Sequence, residues 1–147
     1  MLSGRLTHAL LVSLDWLASL LPAPPLPEHL RTGRRGEEAA YFYLRKLGYV
    51  MVARNFRTPR RRGEIDLIAW QGDVLCFIEV KTRTTREVKP AEAAVDLDKR
   101  RQLQAVANEY LRFVPRSCQC RFDVISVYYE KSSQPQFELF PNAFSVS

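Results

Sequence analysis

Two strand-like segments joined by a tight turn constrain this chain more than any other feature. EIDLIAW (64–70) and VLCFIEVKTR (74–83) flank Gln71-Gly72-Asp73, a short hairpin signal. With Gly72-Asp73 as the two-residue loop, Asp66 faces Glu79 and Glu64 faces Lys81. All four side chains then rise from one face of the sheet, because positions i and i+2 of a strand share a face. A slip of one residue would break that register.

Opposed residues have Cβ atoms about 4.5–5.5 Å apart, and like charges there destabilise the pair. Asp66 against Glu79 therefore needs compensation. Lys81 supplies one positive charge; a divalent cation would supply two. Mg²⁺ takes oxygen ligands at about 2.0–2.1 Å and keeps several waters, so two carboxylates suit it. Lys81 beside such a cation orients or helps to deprotonate an attacking water, and the cation neutralises charge on a phosphodiester. The competing reading is a solvated charge ladder on an exposed sheet face.

The flanking segments add candidates. RTPRRRG (57–63) places Arg57, Arg60, Arg61 and Arg62 just before Glu64, where they can hold a phosphate backbone. No aromatic residue is interleaved with them, so nothing suggests base stacking. A helix is expected after Gly33 and Gly36 and ends at Gly48, with Ala40, Tyr41, Leu44 and Leu47 as its stripe. Glu37 lies one turn before that stripe. It either points into a pocket beside the sheet or, like Glu38, only complements the helix dipole.

YVMVARNF (49–56) reads as the first strand, RFDVISVYYE (121–130) as the fourth and FELF (137–140) as a short edge strand. Residues 91–114 have helical periodicity, with a break near Asp96 and Leu103, Val106, Tyr110 and Leu111 on the apolar face. Lys99 is four residues before Leu103 and leans toward the sheet, whereas Arg100 and Arg101 face water. Lys99 and Arg100 join the candidate nucleic-acid contacts. Asp123 is expected to be structural, paired with an arginine or lysine. The order gives a mixed α/β domain.

Upstream, Leu6, Leu10, Leu14, Leu17 and Leu21 recur at helical spacing, so residues 1–21 are expected to form an amphipathic helix. It packs on its own domain, on a second copy or, less readily, on a membrane surface. It is too short for stable membrane insertion. A proline-rich linker, 22–32, separates it from a domain at 33–147.

The 147 residues carry a net charge of +6, and five positions (Lys46, Lys81, Lys89, Lys99, Lys131) account for all the lysine among 22 basic residues. An arginine-rich basic domain favours a nucleic-acid partner. Cys76, Cys118 and Cys120 form no spaced framework, which argues for a reducing, cytoplasmic compartment and against structural zinc.

The blocks GRRGEEAAYFYLRKLGY, RRGEIDLIAW, FIEVKTRT, AVDLDKRRQL and RFDVISV, in that order over residues 33–130, resemble the YraN-type family of bacterial proteins. That family is similar to the restriction-endonuclease-like superfamily and to archaeal Holliday-junction resolvases. The superfamily pattern is an acid followed by acid-x-lysine on the next strand, matched by Asp66 and Glu79-Val80-Lys81. Ile65 stands where the pattern has proline. The resemblance implies a restriction-endonuclease-like α/β core of order αβββαβ, a mixed sheet of four to five strands flanked by helices; the N-terminal helix expected from periodicity is extra to it. It also implies Mg²⁺ or Mn²⁺ held by Asp66, Glu79, the Val80 carbonyl and Glu37, with Asp66, Glu79 and Lys81 catalytic. Metal-dependent hydrolysis of DNA, branched or damaged, is the expected activity. A homodimer is expected for an enzyme that cuts two strands. The alternative is a non-catalytic nucleic-acid-binding module that recruits other DNA-processing proteins.

Overall fold

Continuous apolar runs in the central strands build one sheet with a helix against each face. The computed structural model describes residues 25–84, 95–130 and 134–145; the expected helix at 1–21 and residues 85–94 lie outside them. The elements are α1 (Glu28–Lys46), β1 (Val50–Phe56), β2 (Ile65–Gln71), β3 (Val74–Arg83), α2 (Leu97–Leu111), β4 (Gln119–Tyr128) and β5 (Gln136–Phe144). Strand order follows chain order. β1, β2 and β3 form an antiparallel meander, β3 pairs parallel with β4, and β5 returns antiparallel. The parallel β3–β4 step needs a crossover, and α2 supplies it. This is the restriction-endonuclease-like arrangement.

The β2–β3 hairpin has the expected register, with Leu67 opposite Ile78 and Gln71 opposite Val74. Gly72 turns it at φ 57°, a conformation that glycine adopts without a Cβ clash. The central strands are apolar on both faces. Ile68, Leu75, Phe77, Phe122 and Val124 pack with Leu103, Val106 and Ala107 of α2. Leu67, Ala69, Cys76, Ile78, Ile125 and Val127 pack with Ala40 and Leu44 of α1.

Two elements differ from expectation, α1 and β5. Helix α1 starts at Glu28, so Gly33 and Gly36 lie inside it rather than ahead of it. Gly36 is there because α1 crosses β3 closely: a Cβ on it would fall 1.8 Å from Thr82 Oγ1. Helix α2 begins at Leu97, after the break expected near Asp96, which caps it by accepting the Lys99 N–H at 2.8 Å. Strand β5 is nine residues long. It accommodates Pro141 because it is an edge strand, and its register shifts opposite Phe122–Val124. Among the described residues, no helix is long and apolar enough to cross a membrane.

Candidate active site

The site forms where β2 and β3 stop pairing. Leu67 and Ile78 are the last paired residues at this end of the hairpin, and Asp66 fills the gap beyond them. Its Oδ2 accepts the Val80 N–H at 2.7 Å. Asp66 and Glu79 are both buried, 7% and 5% exposed. Burial, and then the Glu79 charge, push the Asp66 carboxyl from the ordinary 3.8 up to about 8. The hairpin register thus delivers the two acids to one buried space, as expected.

Glu79 is held unevenly. Lys81 Nζ lies 3.0 Å from its Oε1, and Lys99 Nζ lies 3.5 Å from the same oxygen. Its Oε2 is buried with no hydrogen-bond partner. A buried carboxylate oxygen without a donor is costly unless something occupies that side. Lys81 follows Glu79 by two positions on β3 and shares its face. Lys99 arrives from the first turn of α2, so the expected lean of Lys99 toward the sheet is observed.

Glu64 does not face Lys81, contrary to expectation. It precedes the first residue of β2 and lies outside the ladder. There it meets Arg57, whose Nε and Nη2 approach Glu64 Oε2 at 2.6 and 2.5 Å. Arg61 lies 3.7 Å from Glu109 of α2, and Arg60 and Arg62 are exposed. Arg57 is therefore committed to Glu64, and Arg61 to Glu109.

Glu37, on α1, faces a cleft of about 610 Å³ that also includes Arg34, Arg54, Arg57, Glu38 and Glu64. Burial raises its pKa, with further upward pushes from Glu64 and Glu79, against Arg54 and Arg34. Glu37 thus feels the carboxylate pair without closing on it. Among the described residues, no three Asp, Glu, His or Cys side chains converge as a ready-made cation cage. Arg34 and Arg54 were not anticipated here. The signal for Arg34 was its position three residues before Glu37, on the same helix face.

Asp123 is structural, as expected. It is fully buried and takes Arg121 Nε at 2.8 Å and Nη2 at 3.1 Å, plus the Asn142 N–H at 2.9 Å. Arg121 also donates to the Tyr49 hydroxyl at 3.1 Å and to Gln71 Oε1. This fork closes the end of the sheet remote from Lys81, and the burial and charge there lift the Cys76 thiol to about 12.

A donor set of two buried carboxylates, one orphaned oxygen and an adjacent backbone group has the chemistry a small hard cation requires. Comparison with known proteins is consistent with one lineage. A UPF0102 protein of Koribacter versatilis is 54% identical over 131 residues, 89% of this chain and 91% of the relative. A UPF0102 protein of Solibacter usitatus is 44% identical over 113 residues, 76% and 84% of the two chains. One from Chlorobium chlorochromatii is 45% identical over 95 residues, 65% and 72%. Residues 36–127 match the uncharacterised protein family UPF0102, a span that holds Glu37, Asp66, Glu79, Lys81 and Lys99. The chain belongs to the UPF0102 family.

Proposed function

We propose that the protein is a metal-dependent endonuclease that hydrolyses DNA phosphodiester bonds, with branched or damaged DNA as its substrate class. The observation that carries this reading is the orphaned, buried Oε2 of Glu79 beside Asp66. Two acids packed together with one oxygen unanswered are suited to Mg²⁺ or Mn²⁺ and ill suited to a plain salt-bridge ladder.

Asp66 and Glu79 would hold the cation, with Glu37 joining through water, since it does not close on the pair. Val80 presents its N–H to Asp66. Its carbonyl lies on the same lateral side of the strand, which supports the carbonyl as a further ligand. When bound, the cation supplies Lewis acidity toward the phosphodiester and makes water a better nucleophile. Lys81 Nζ, beside Glu79, would orient the attacking water. Lys99 Nζ offsets negative charge at the phosphate. Arg57 holds Glu64 away from Lys81, so Glu64 does not neutralise it. Arg60, Arg61 and Arg62 position the backbone, and Arg100 extends that surface along α2.

A second reading draws on the absence of a three-acid cluster among the described residues: a non-catalytic, cytoplasmic nucleic-acid-binding module that recruits other DNA-processing proteins. A labelled panel separates the two. Linear duplex, single strand, flap and four-way junction are incubated with Mg²⁺, Mn²⁺ or EDTA, with Lys81→Ala alongside. The endonuclease reading expects metal-dependent cutting, best on a branched substrate and lost in the variant. Binding without cutting in every metal selects the module. A homodimer is expected if both strands of a branch are cut, and scattering in solution tests it.

A further inference from the structure

The clefts around the carboxylate pair differ in charge on its two sides. On the α1 side the cleft lining balances Arg34, Arg54 and Arg57 against Glu37, Glu38 and Glu64. On the α2 side a cleft of about 620 Å³ has Arg61, Arg100 and Arg101 as its charged lining, with the amides Gln104 and Asn108, and no carboxylate among the described lining residues. A smaller cleft of about 420 Å³ connects it to the site: Arg61 lines both, and Arg57, Glu64 and Lys99 complete its charged lining. Lys99 reaches Glu79. Among the described residues, a cationic path therefore leads from the acids along the α2 side.

We propose that this α2 cleft receives the sugar-phosphate backbone of a nucleic-acid strand on one side of the carboxylate site, and does so independently of base sequence. The inference rests on the nucleic-acid reading above but not on catalysis. Its chemistry is that of backbone recognition. Phe144 is only 8% exposed; its ring stacks on Phe122 at 4.6 Å and lies under the Arg100 guanidinium at 5.2 Å. Among the described residues no open aromatic face is left in the cleft for a base to stack on. Gln104 Nε2 donates to Asn108 Oδ1 at 3.3 Å, so these amides are partly engaged with each other rather than set as a bidentate base reader. Arg100 is anchored by its Nε donating to the Val95 carbonyl at 2.9 Å, which lowers the ordering cost of using it. Among the described residues Arg101 meets the exposed Asp98, at 3.5 Å with side chains 79% and 87% exposed. A pair so exposed is held weakly, and phosphate can displace it. Arg101, read from sequence as merely solvated, thus becomes a contact.

The test is equilibrium binding of the full chain in EDTA, so that cutting does not intervene. Fluorescence anisotropy is read on labelled single strands and duplexes of two unrelated sequences across a salt series. Arg101→Ala and Arg61→Ala are each expected to weaken binding several-fold. Each should also lower the slope of log K against log salt by about 1, equally for both sequences. Lys46→Ala, exposed at the far end of α1, should leave slope and affinity unchanged. Circular dichroism melts show that each variant is folded. The inference is overturned if neither arginine variant changes the slope, or if Lys46→Ala lowers it equally. A sequence-dependent loss overturns it too, as does a free mononucleotide that competes as well as the strand at equal phosphate concentration. Absence of cutting in Mg²⁺ with these slopes intact would remove the endonuclease reading and leave this inference standing.

Discussion

Asp66 is a buried acid set beside a second buried acid, Glu79. Its pKa is raised from 3.8 to about 8 by burial first and Glu79 second. The folded state therefore retains a proton that the unfolded chain has lost, between roughly pH 4 and pH 8. Stability must then fall as pH rises through that window, opposite to the usual aspartate. We expect the metal-free melting temperature to be higher at pH 5 than at pH 8. Asp66→Asn should flatten that dependence. Mg²⁺ should raise the melting temperature more at pH 8 than at pH 5, because it replaces the proton. A metal-free melting temperature that rises from pH 5 to pH 8 contradicts the assignment. Asp123 behaves differently, since Arg121 and the Asn142 amide satisfy it. Asp123→Ala should destabilise by about 3 kcal/mol, the low end for breaking a buried pair, because Arg121 keeps some access to water. Asp123→Asn should cost less, and denaturant unfolding measures both. The pairing of Asp123 with Arg121 was legible as two residues on one strand face. The links to Tyr49 and Gln71 were not, because those residues come from distant parts of the chain.

At the scale of elements, the β2–β3 hairpin was the most readable part. Its two-residue turn at Gly72-Asp73 fixes the register, and Asp66 and Glu79 follow. Glu64 and Lys81 did not follow, because the ladder stops at Leu67 and Glu64 folds back onto Arg57. Helix α1 was misread at its start. Gly33 and Gly36 look like breakers in one dimension, yet Gly36 lets the helix approach Thr82 on β3. Alanine is about 1 kcal/mol better than glycine in a helix interior, so Gly36→Ala would stabilise an isolated α1. In the fold the overlap with Thr82 dominates. We expect net destabilisation of about 1–3 kcal/mol by urea unfolding, only partly relieved by Thr82→Ala because Thr82 Cβ itself lies 2.9 Å from the added methyl. Since Gly36 immediately precedes Glu37, the same variant should also shift Glu37 relative to the acids. A fully stable Gly36→Ala protein would refute the close crossing.

Over the whole molecule, the order of helices and strands was legible because each element carries its own period and turn residues. The asymmetry of charge around the site was not. It depends on the Arg57–Gly63 loop lying beside α2, so that Arg61 and Arg101 share one cleft. Sequence spacing puts Lys99 on the core side of α2 but cannot place its Nζ on Glu79. That contact ties the two layers together: β3 brings Glu79 and Lys81, α2 brings Lys99, and α1 brings Glu37 to the edge of the same space. The most direct measurement is a calorimetric titration of Mn²⁺ into the full chain at pH 8, repeated with Asp66→Asn and with Glu79→Gln. A shared carboxylate site predicts cation binding by the unaltered protein that weakens at least about tenfold, roughly 1.4 kcal/mol, in each variant. No binding by the unaltered protein, or equal binding by all three, would contradict a metal site at the heart of this fold.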